Sequence, residues 1–185
     1  MESSGSGQDA AAQLAEAEVL RLRLTAGLRL PAGFHIVLGV TTAVQMAAAT
    51  LGVGAQTGAG LLLVGCGCAL FLVVAALLVW RFRALNGVWV GGLLARSVLG
   101  MTTVASWAYG LPFGFAVLAA LAGHSVLAVL ISVIGGAAYA VAARRWWATY
   151  RQDPAAHAVG ERATVMLTVG VAIAAGVVVL VGLAH

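Results

Sequence analysis

The sequence predicts an all-α integral membrane protein, a bundle of about five transmembrane helices preceded by an amphipathic helix on the cytoplasmic side. Hydrophobic residues make up 62% of the 185 residues and charged residues only 9%, whereas an average soluble domain has roughly 25% charged residues. The charged residues fall only in 1–29, 81–96 and 144–162. Residues 97–143 are 47 consecutive positions without Asp, Glu, Lys or Arg.

This uncharged stretch sets the orientation of the chain. A hydrocarbon core about 30 Å thick needs roughly 20 apolar residues per helix, so the stretch accommodates two spans joined by a tight turn. Both of its ends return to one side, where Arg96, Arg144 and Arg145 lie. Because arginine accumulates in cytoplasmic loops, this side is predicted to face the cytoplasm.

Residues 1–30 are predicted to form a cytoplasmic arm with an amphipathic helix. Asp9 is a candidate N-cap, and the leucines that follow share one sector of a helical projection. This apolar sector is expected to contact either lipid or the protein's own cytoplasmic loops. The acidic, polar start of the chain argues against a cleaved signal peptide.

Residues 31–185 are predicted to form the transmembrane domain. The odd number of spans places the N-terminus in the cytoplasm and His185 outside. The excess of Arg, Ala, Gly and Val suggests a bacterial source, so we expect a multi-pass protein of the plasma membrane, the cell inner membrane. The expected spans are about 33–54, 60–80, 94–118, 124–143 and 163–184.

Two boundaries of these spans are ambiguous. The third span is expected to begin near Leu94, because a start at Val88 would bury Arg96 at a cost near 3 kcal/mol. Pro112 lacks a backbone donor and either kinks this span or ends it. If the helix ends there, the fourth helix starts at Phe115; otherwise it starts after 123–124.

Polar residues of the first and third spans form a candidate site. Gln45, near mid-depth, is expected either to contact a ligand or to make an interhelical hydrogen bond. Thr42 shares its face, and Thr102, Ser106 and Tyr109 share one face of the third span. Pairing of the two faces would give either a hydrogen-bonded core or the wall of a small cavity for a neutral ligand.

Small residues form matching surfaces on the first and fourth spans. Helices in lipid associate by close backbone approach across such residues, because lipid is as apolar as leucine. We therefore expect an internal contact between these spans rather than a seam between two copies. The surfaces are Gly39, Ala43 and Ala47 on the first span and Ala128, Ser132, Gly136 and Ala140 on the fourth.

Basic and aromatic residues at the cytoplasmic helix ends are expected to anchor the bundle to anionic lipid headgroups. The predicted partners are therefore this bilayer surface and either further copies of the chain or another membrane protein. Nucleic acid is not expected, because the chain has no basic domain of usable size. The anchors are Arg81, Arg83, Arg144, Arg145, Trp146 and Trp147.

Reactive groups are scarce. Apart from Arg96 at the start of the third, no predicted span contains Asp, Glu, Lys or Arg, the groups that carry proton or cation coupling in most transporters. Cys66 and Cys68 point about 200° apart on a helix, so we expect packing rather than a disulfide or a metal site. His35 and His124 lie near opposite faces, unlike paired haem ligands. No cofactor and no metal are expected.

These patterns favour a non-enzymatic membrane protein that acts as a subunit, sensor or assembly partner. An oligomeric permease or channel for a neutral or apolar solute, formed around the hydroxyl and amide faces, is the first alternative. A membrane enzyme that uses Asp153, His157 and Glu161 of the cytoplasmic 153–161 loop for acid-base or metal chemistry is the second.

Overall fold

A computed structural model describes residues 13, 15, 16, 19, 27–87 and 103–152. Within these residues the secondary structure is entirely helical, so the all-helical prediction is confirmed. Four helices are long and apolar enough to cross a membrane, which indicates a multi-pass membrane protein. The predicted fifth span and most of the N-terminal arm lie outside the described residues. The helices are α1 (Phe34–Ala55), α2 (Gly58–Asn86), α3 (Thr103–Leu121) and α4 (Ser125–Gln152).

The helix ends follow from local residue chemistry. Gly33, with φ of 73°, precedes α1, and Gly87, with φ of 64°, closes α2 by donating its N–H to the Arg83 carbonyl at 2.9 Å. Glycine carries no Cβ and adopts these left-handed conformations at little cost. The Thr57 hydroxyl caps α2 by accepting from the Gly60 N–H at 3.1 Å, as expected of an N-cap threonine.

The first helix lies at the centre of the bundle. It packs against α2, α3 and α4, and α3 also packs against α4. Gly39 of α1 lies against Gly136 and Ala140 of α4, and Gly52 lies against Gly60 of α2, so α2 and α4 both run antiparallel to α1. Because α3 and α4 are joined by a short turn, α3 runs parallel to α1.

The bundle has one basic end, where α1 begins and α2 and α4 end. It carries Arg29, Arg81, Arg83, Arg144, Arg145 and Arg151. The larger of the two apolar clusters lies at this end and includes Phe34, Leu38, Leu78, Phe82, Tyr139, Ala143, Trp147 and Tyr150. A small cluster of Ala119, Ala120 and Ala128 holds α3 and α4 together near the opposite end.

Two helices extend past the predicted spans. The second continues to Asn86 rather than ending near residue 80, and the fourth continues to Gln152 rather than ending near 143. Their lengths of 29 and 28 residues correspond to about 42–44 Å, more than a hydrocarbon core of about 30 Å. Arginine is a good helix former, so the arginines at the basic end do not terminate either helix.

The ambiguity at Pro112 is resolved. α3 continues through Pro112 to Leu121, and the next helix starts at Ser125. Pro112 sits opposite Gly135 of α4, where a Cβ would lie only 2.8 Å from the Pro112 Cβ. The missing side chain at Gly135 therefore leaves room for the proline ring. The start of α3 at Thr103 cannot be compared with Leu94, because 88–102 lie outside the described residues.

Candidate functional site

A polar contact joins α1 to α3 in the middle of the bundle. The Tyr109 hydroxyl donates a hydrogen bond of 3.0 Å to the Gln45 side-chain carbonyl. The Tyr109 ring also stacks on Phe113, with centroids 5.6 Å apart, and meets Tyr139 of α4 edge-on at 6.3 Å. The phenol therefore links three helices through one hydrogen bond and one aromatic contact.

Thr42 lies one turn before Gln45 on α1 and differs from the other buried hydroxyl residues. Thr41, Thr50 and Ser132 each donate to a carbonyl of their own helix at 2.8 to 3.1 Å. The Thr42 hydroxyl is fully buried and has no partner among the described residues. An unpaired buried hydroxyl costs about 1–3 kcal/mol of stability. The Thr42 hydroxyl is therefore the group in this region that would gain most from a hydrogen-bonding partner.

The predicted polar face has two further members, Ser106 and Thr102. Ser106 is half-buried on α3, and Thr102 lies outside the described residues. The structure thus joins Gln45 to Tyr109 by a hydrogen bond, whereas Thr42 makes none. The groups present are neutral hydroxyls and one amide, which bind by donating and accepting hydrogen bonds.

The small-residue surfaces of α1 and α4 lie against each other. A Cβ at Gly39 would lie 2.7 Å from the Ala140 Cβ and 2.9 Å from the Gly136 carbonyl oxygen. A Cβ at Gly136 would lie 2.6 Å from the Ala43 Cβ and 2.9 Å from the Ala43 nitrogen. The two backbones are therefore in direct contact, and this face of α4 is covered within one chain.

The ends of these surfaces differ from their centre. Ala128 and Ser132 are fully buried, but Ala128 packs in the cluster with Ala119 and Ala120 of α3. Ala47, like Ala43 and Ala140, is half-buried. We define the α1–α4 seam as Gly39, Ala43, Gly136 and Ala140, the residues of these surfaces that the close glycine contacts join.

Close glycine contacts recur at other helix pairs. Gly52 of α1 lies against Gly60 of α2, and a Cβ at Gly67 would lie 2.7 Å from the Ala48 Cβ. Gly54 approaches Ala120 of α3, and Gly135 accommodates Met46 together with Pro112. Sequence reasoning missed the contacts of α2, although Gly60 and Gly67, which both face α1, are seven residues apart and so fall on one face of a helix.

At the basic end, Asn86 binds the chain segment that leads into α1. Its side-chain oxygen accepts from the Arg29 N–H at 2.8 Å, and its amide nitrogen donates to the Arg29 carbonyl at 2.9 Å. The same nitrogen donates to the Phe82 carbonyl at 2.8 Å. The sequence suggested only a turn at Asn86-Gly87, since nothing local indicates a partner 57 residues away.

The predicted headgroup anchors fall into two classes. Arg81, Arg83, Arg144 and Arg145 are exposed at the basic end and Trp146 is half-exposed. Trp147 instead is 93% buried within the bundle and stacks on Tyr150, with ring centroids 6.0 Å apart. Because α4 continues as a helix, Trp147 falls one turn after Ala143 on its buried face. The expectation that Trp147 faces headgroups is therefore incorrect.

A groove of about 330 Å³ lies beside the end of α2, lined by Trp80, Arg83, Ala84 and Gly87. Trp80 is 67% exposed beside Arg81, in contrast to the buried Trp147. Sequence reasoning placed the basic residues here but did not identify Trp80 as part of the surface. Its position at the end of an apolar run, directly before Arg81, could have predicted that Trp80 belongs to this surface.

The reactive residues of the sequence are separate in space or lie outside the described residues. Cys66 and Cys68 are both exposed thiols on an unbroken part of α2. In the described residues no three His, Cys, Asp or Glu side chains come together as a metal site. Asp153, His157 and Glu161 lie beyond residue 152.

Comparisons with known proteins find no matching family model, no matching curated protein and no matching solved structure.

Proposed function

We propose that this protein is a non-enzymatic membrane protein that acts as a subunit, sensor or assembly partner in the cell inner membrane. It crosses the membrane five times, with the N-terminus in the cytoplasm and His185 outside. Close packing of the described helices carries the proposal. The backbones of α1 and α4 touch at the α1–α4 seam, and α1 meets α2 at Gly52 and Gly60.

Such packing suits a rigid scaffold better than a transport pathway. A solute pathway through one chain needs space between helices, whereas these contacts leave no space for a methyl group at four glycines of α1 and α4 (Gly39, Gly52, Gly135 and Gly136). A tightly packed bundle has its surface available for partners, and among the described residues α2 presents a wide apolar face. Leu62, Leu72 and Leu77 are each more than half exposed there.

A second candidate is an oligomeric permease for a neutral or apolar solute. The buried, unpaired Thr42 hydroxyl favours it, because polar groups in spans often mark ligand sites. In this version the Thr42, Gln45 and Tyr109 side chains contact the solute through neutral hydrogen bonds. The enzyme alternative rests on Asp153, His157 and Glu161 and gains no support from the described residues.

Orientation follows from the arginines. Every arginine lies in 1–29, 81–96 or 144–162, and basic loops stay in the cytoplasm. A cysteine at Thr57, in a background without native cysteines, should react with an impermeant reagent in intact cells, and a cysteine at Ser4 should not. The opposite labelling pattern would reverse the proposed topology.

Two measurements on purified protein distinguish the candidates. In liposomes, glycerol and urea flux should equal that of empty vesicles if the protein is a subunit or assembly partner. Faster flux that is lost in Thr42→Val and Gln45→Leu would support the permease. Extraction of native membranes into nanodiscs should retain a membrane partner at fixed stoichiometry. A chain that neither conducts solute nor retains a partner contradicts both candidates.

Lipid contact is tested separately. Arg144 and Arg145 are exposed at the basic end, and each arginine near an anionic surface contributes about 1 kcal/mol. Thermal stabilisation by phosphatidylglycerol over phosphatidylcholine should weaken in the Arg144→Gln, Arg145→Gln variant. Equal stabilisation in variant and parent would contradict the anchoring role.

A further inference from the structure

The outward face of α3 is apolar and open. Gly110 and Gly114 lie one turn apart, and a Cβ built on either meets no atom of the described residues within 4 Å. Large side chains border them, and each is more than half exposed: Trp107 57%, Leu111 51%, Phe115 61% and Leu118 63%. The face is a shallow groove with bulky edges, a shape that accepts a second helix in a membrane.

We propose that residues 163–184 of the same chain occupy this groove as a helix parallel to α3. The inference rests on the proposed fifth span. The end of α4 makes the placement feasible, because Gln152 lies at the basic end and the ten residues 153–162 follow it. Ten residues reach up to about 33–36 Å when extended, and packed helix axes are only about 8–10 Å apart.

The sequence of 163–184 has a surface that complements the groove. Ala172 and Gly176 are one turn apart, as Gly110 and Gly114 are. At about 100° per residue they share a face with larger apolar residues on both sides along the helix. Those larger residues are Val165, Val169, Val179 and Leu183.

The depth of the groove can be read from α1. These two helices run parallel, and Gly54 lies against Ala120, with a Cβ at Gly54 only 3.0 Å from the Ala120 Cβ. The midpoint of Gly110 and Gly114 is eight residues before Ala120, so it is level with the position eight residues before Gly54. That position is Met46.

The two small pairs lie at nearly the same depth. Met46 is thirteen residues after residue 33, where the first span is predicted to begin. The midpoint of Ala172 and Gly176 is eleven residues after residue 163, the predicted start of the last span. A difference of two residues is about 3 Å along a helix axis, less than one turn.

Disulfide cross-linking tests the contact in the full chain. In a Cys66→Ala, Cys68→Ala background, Leu111→Cys with Gly176→Cys should oxidise to a disulfide within one chain, because the Cα atoms must come within about 7 Å. Leu111→Cys with Ala174→Cys is the matched control. Ala174 has nearly the same depth but points about 200° away from Ala172, so at least roughly tenfold less cross-link is expected.

Digestion with trypsin detects the disulfide within one chain. It cuts after Arg151 and Arg162, so under non-reducing conditions the fragment from residue 163 onward remains attached only through the new disulfide. A second pair, Phe115→Cys with Val179→Cys, lies one turn further along the groove. This second pair should also cross-link, and it keeps the test valid if a substitution in the first pair disturbs folding.

Each other result overturns the inference. Covalent dimers from Leu111→Cys alone would mean that a second copy covers the groove. Cross-linking in neither pair, with His185→Cys still labelled from outside, would mean that the fifth span exists but lies elsewhere or that lipid covers the groove. Failure to label His185→Cys from outside would refute the fifth span itself, and with it both proposals.

Discussion

Helices α4 and α2 both carry glycines among large apolar residues. Gly136 of α4 lies against α1, whereas a Cβ at Gly65 of α2 would meet no atom within 4 Å in the described part of the chain. The second helix is the most hydrophobic of the described spans and also the least buried. Among the described residues, hydrophobicity therefore does not predict burial against protein, and protein contact depends on the surface opposite. A glycine packs where another helix offers a fitting surface at the same depth, as Ala43 does for Gly136.

The sharpest test compares Gly136→Leu with Gly65→Leu. A leucine at Gly136 must displace Ala43, including its backbone nitrogen, and overpacking of this kind costs about 1–3 kcal/mol. Gly65→Leu enters open space and should stay within about 0.5 kcal/mol of the parent. Thermal unfolding in detergent measures both, and size-exclusion chromatography should show an unchanged oligomeric state for Gly136→Leu. Equal losses in the two variants would remove the distinction.

A second comparison lies within α1. Thr42→Val removes a buried hydroxyl that has no partner in the described part of the chain and should raise the free energy of unfolding by about 1 kcal/mol. Thr41→Val removes a hydroxyl that donates to the Val37 carbonyl and should change stability by only a few tenths of a kcal/mol. If Thr42→Val is the destabilised variant, its hydroxyl has an acceptor in the membrane.

The hydrogen bond between α1 and α3 should contribute less than backbone packing. A double-mutant cycle of Gln45→Leu and Tyr109→Phe isolates the 3.0 Å contact. Side-chain hydrogen bonds between membrane helices average about 0.6 kcal/mol, and we expect a coupling energy of that size. A coupling energy as large as the Gly136→Leu effect would mean that polar contacts, rather than glycine contacts, hold the bundle together.

The smallest effect is expected on the outer face of α2. Cys66 and Cys68 are exposed thiols, so replacing both with alanine should leave unfolding temperature and expression unchanged. Alanine is at least as good a helix former as cysteine. Loss of a copurifying metal, or a lower unfolding temperature, would show that this face has a specific partner.

The transmembrane helices could be predicted from the sequence because backbone N–H and C=O groups in lipid must be hydrogen-bonded within a span. Long uncharged runs show where such helices lie. Sequence reasoning could not decide between a kink and an end at Pro112. The answer depends on Gly135, which lies 23 positions away on another helix and leaves room for the ring. Local sequence carries no information about what lies opposite.

The candidate site was predicted in part for a similar reason. The polar face of α1 was recognised, and the structure joins Gln45 to Tyr109, but one face of a helix does not reveal which of its hydroxyls finds an acceptor. Trp147 was misplaced because the basic residues before it suggested the membrane surface. Because the helix continues past those residues, Trp147 lies on the same buried face as Ala143 and stacks on Tyr150.

The contact between Asn86 and Arg29 bears on how the protein is made. Asn86 closes the open end of the α1–α2 hairpin by hydrogen bonds to the Arg29 backbone. Near the turn, where Thr57 caps α2, Gly52 packs against Gly60. Every residue in these bonds and in the Gly52–Gly60 contact is synthesised before Gly87. All residues that close the hairpin therefore precede α3 in synthesis. Because N-terminal units generally fold first during synthesis, we expect the later helices to pack onto a hairpin that has already formed.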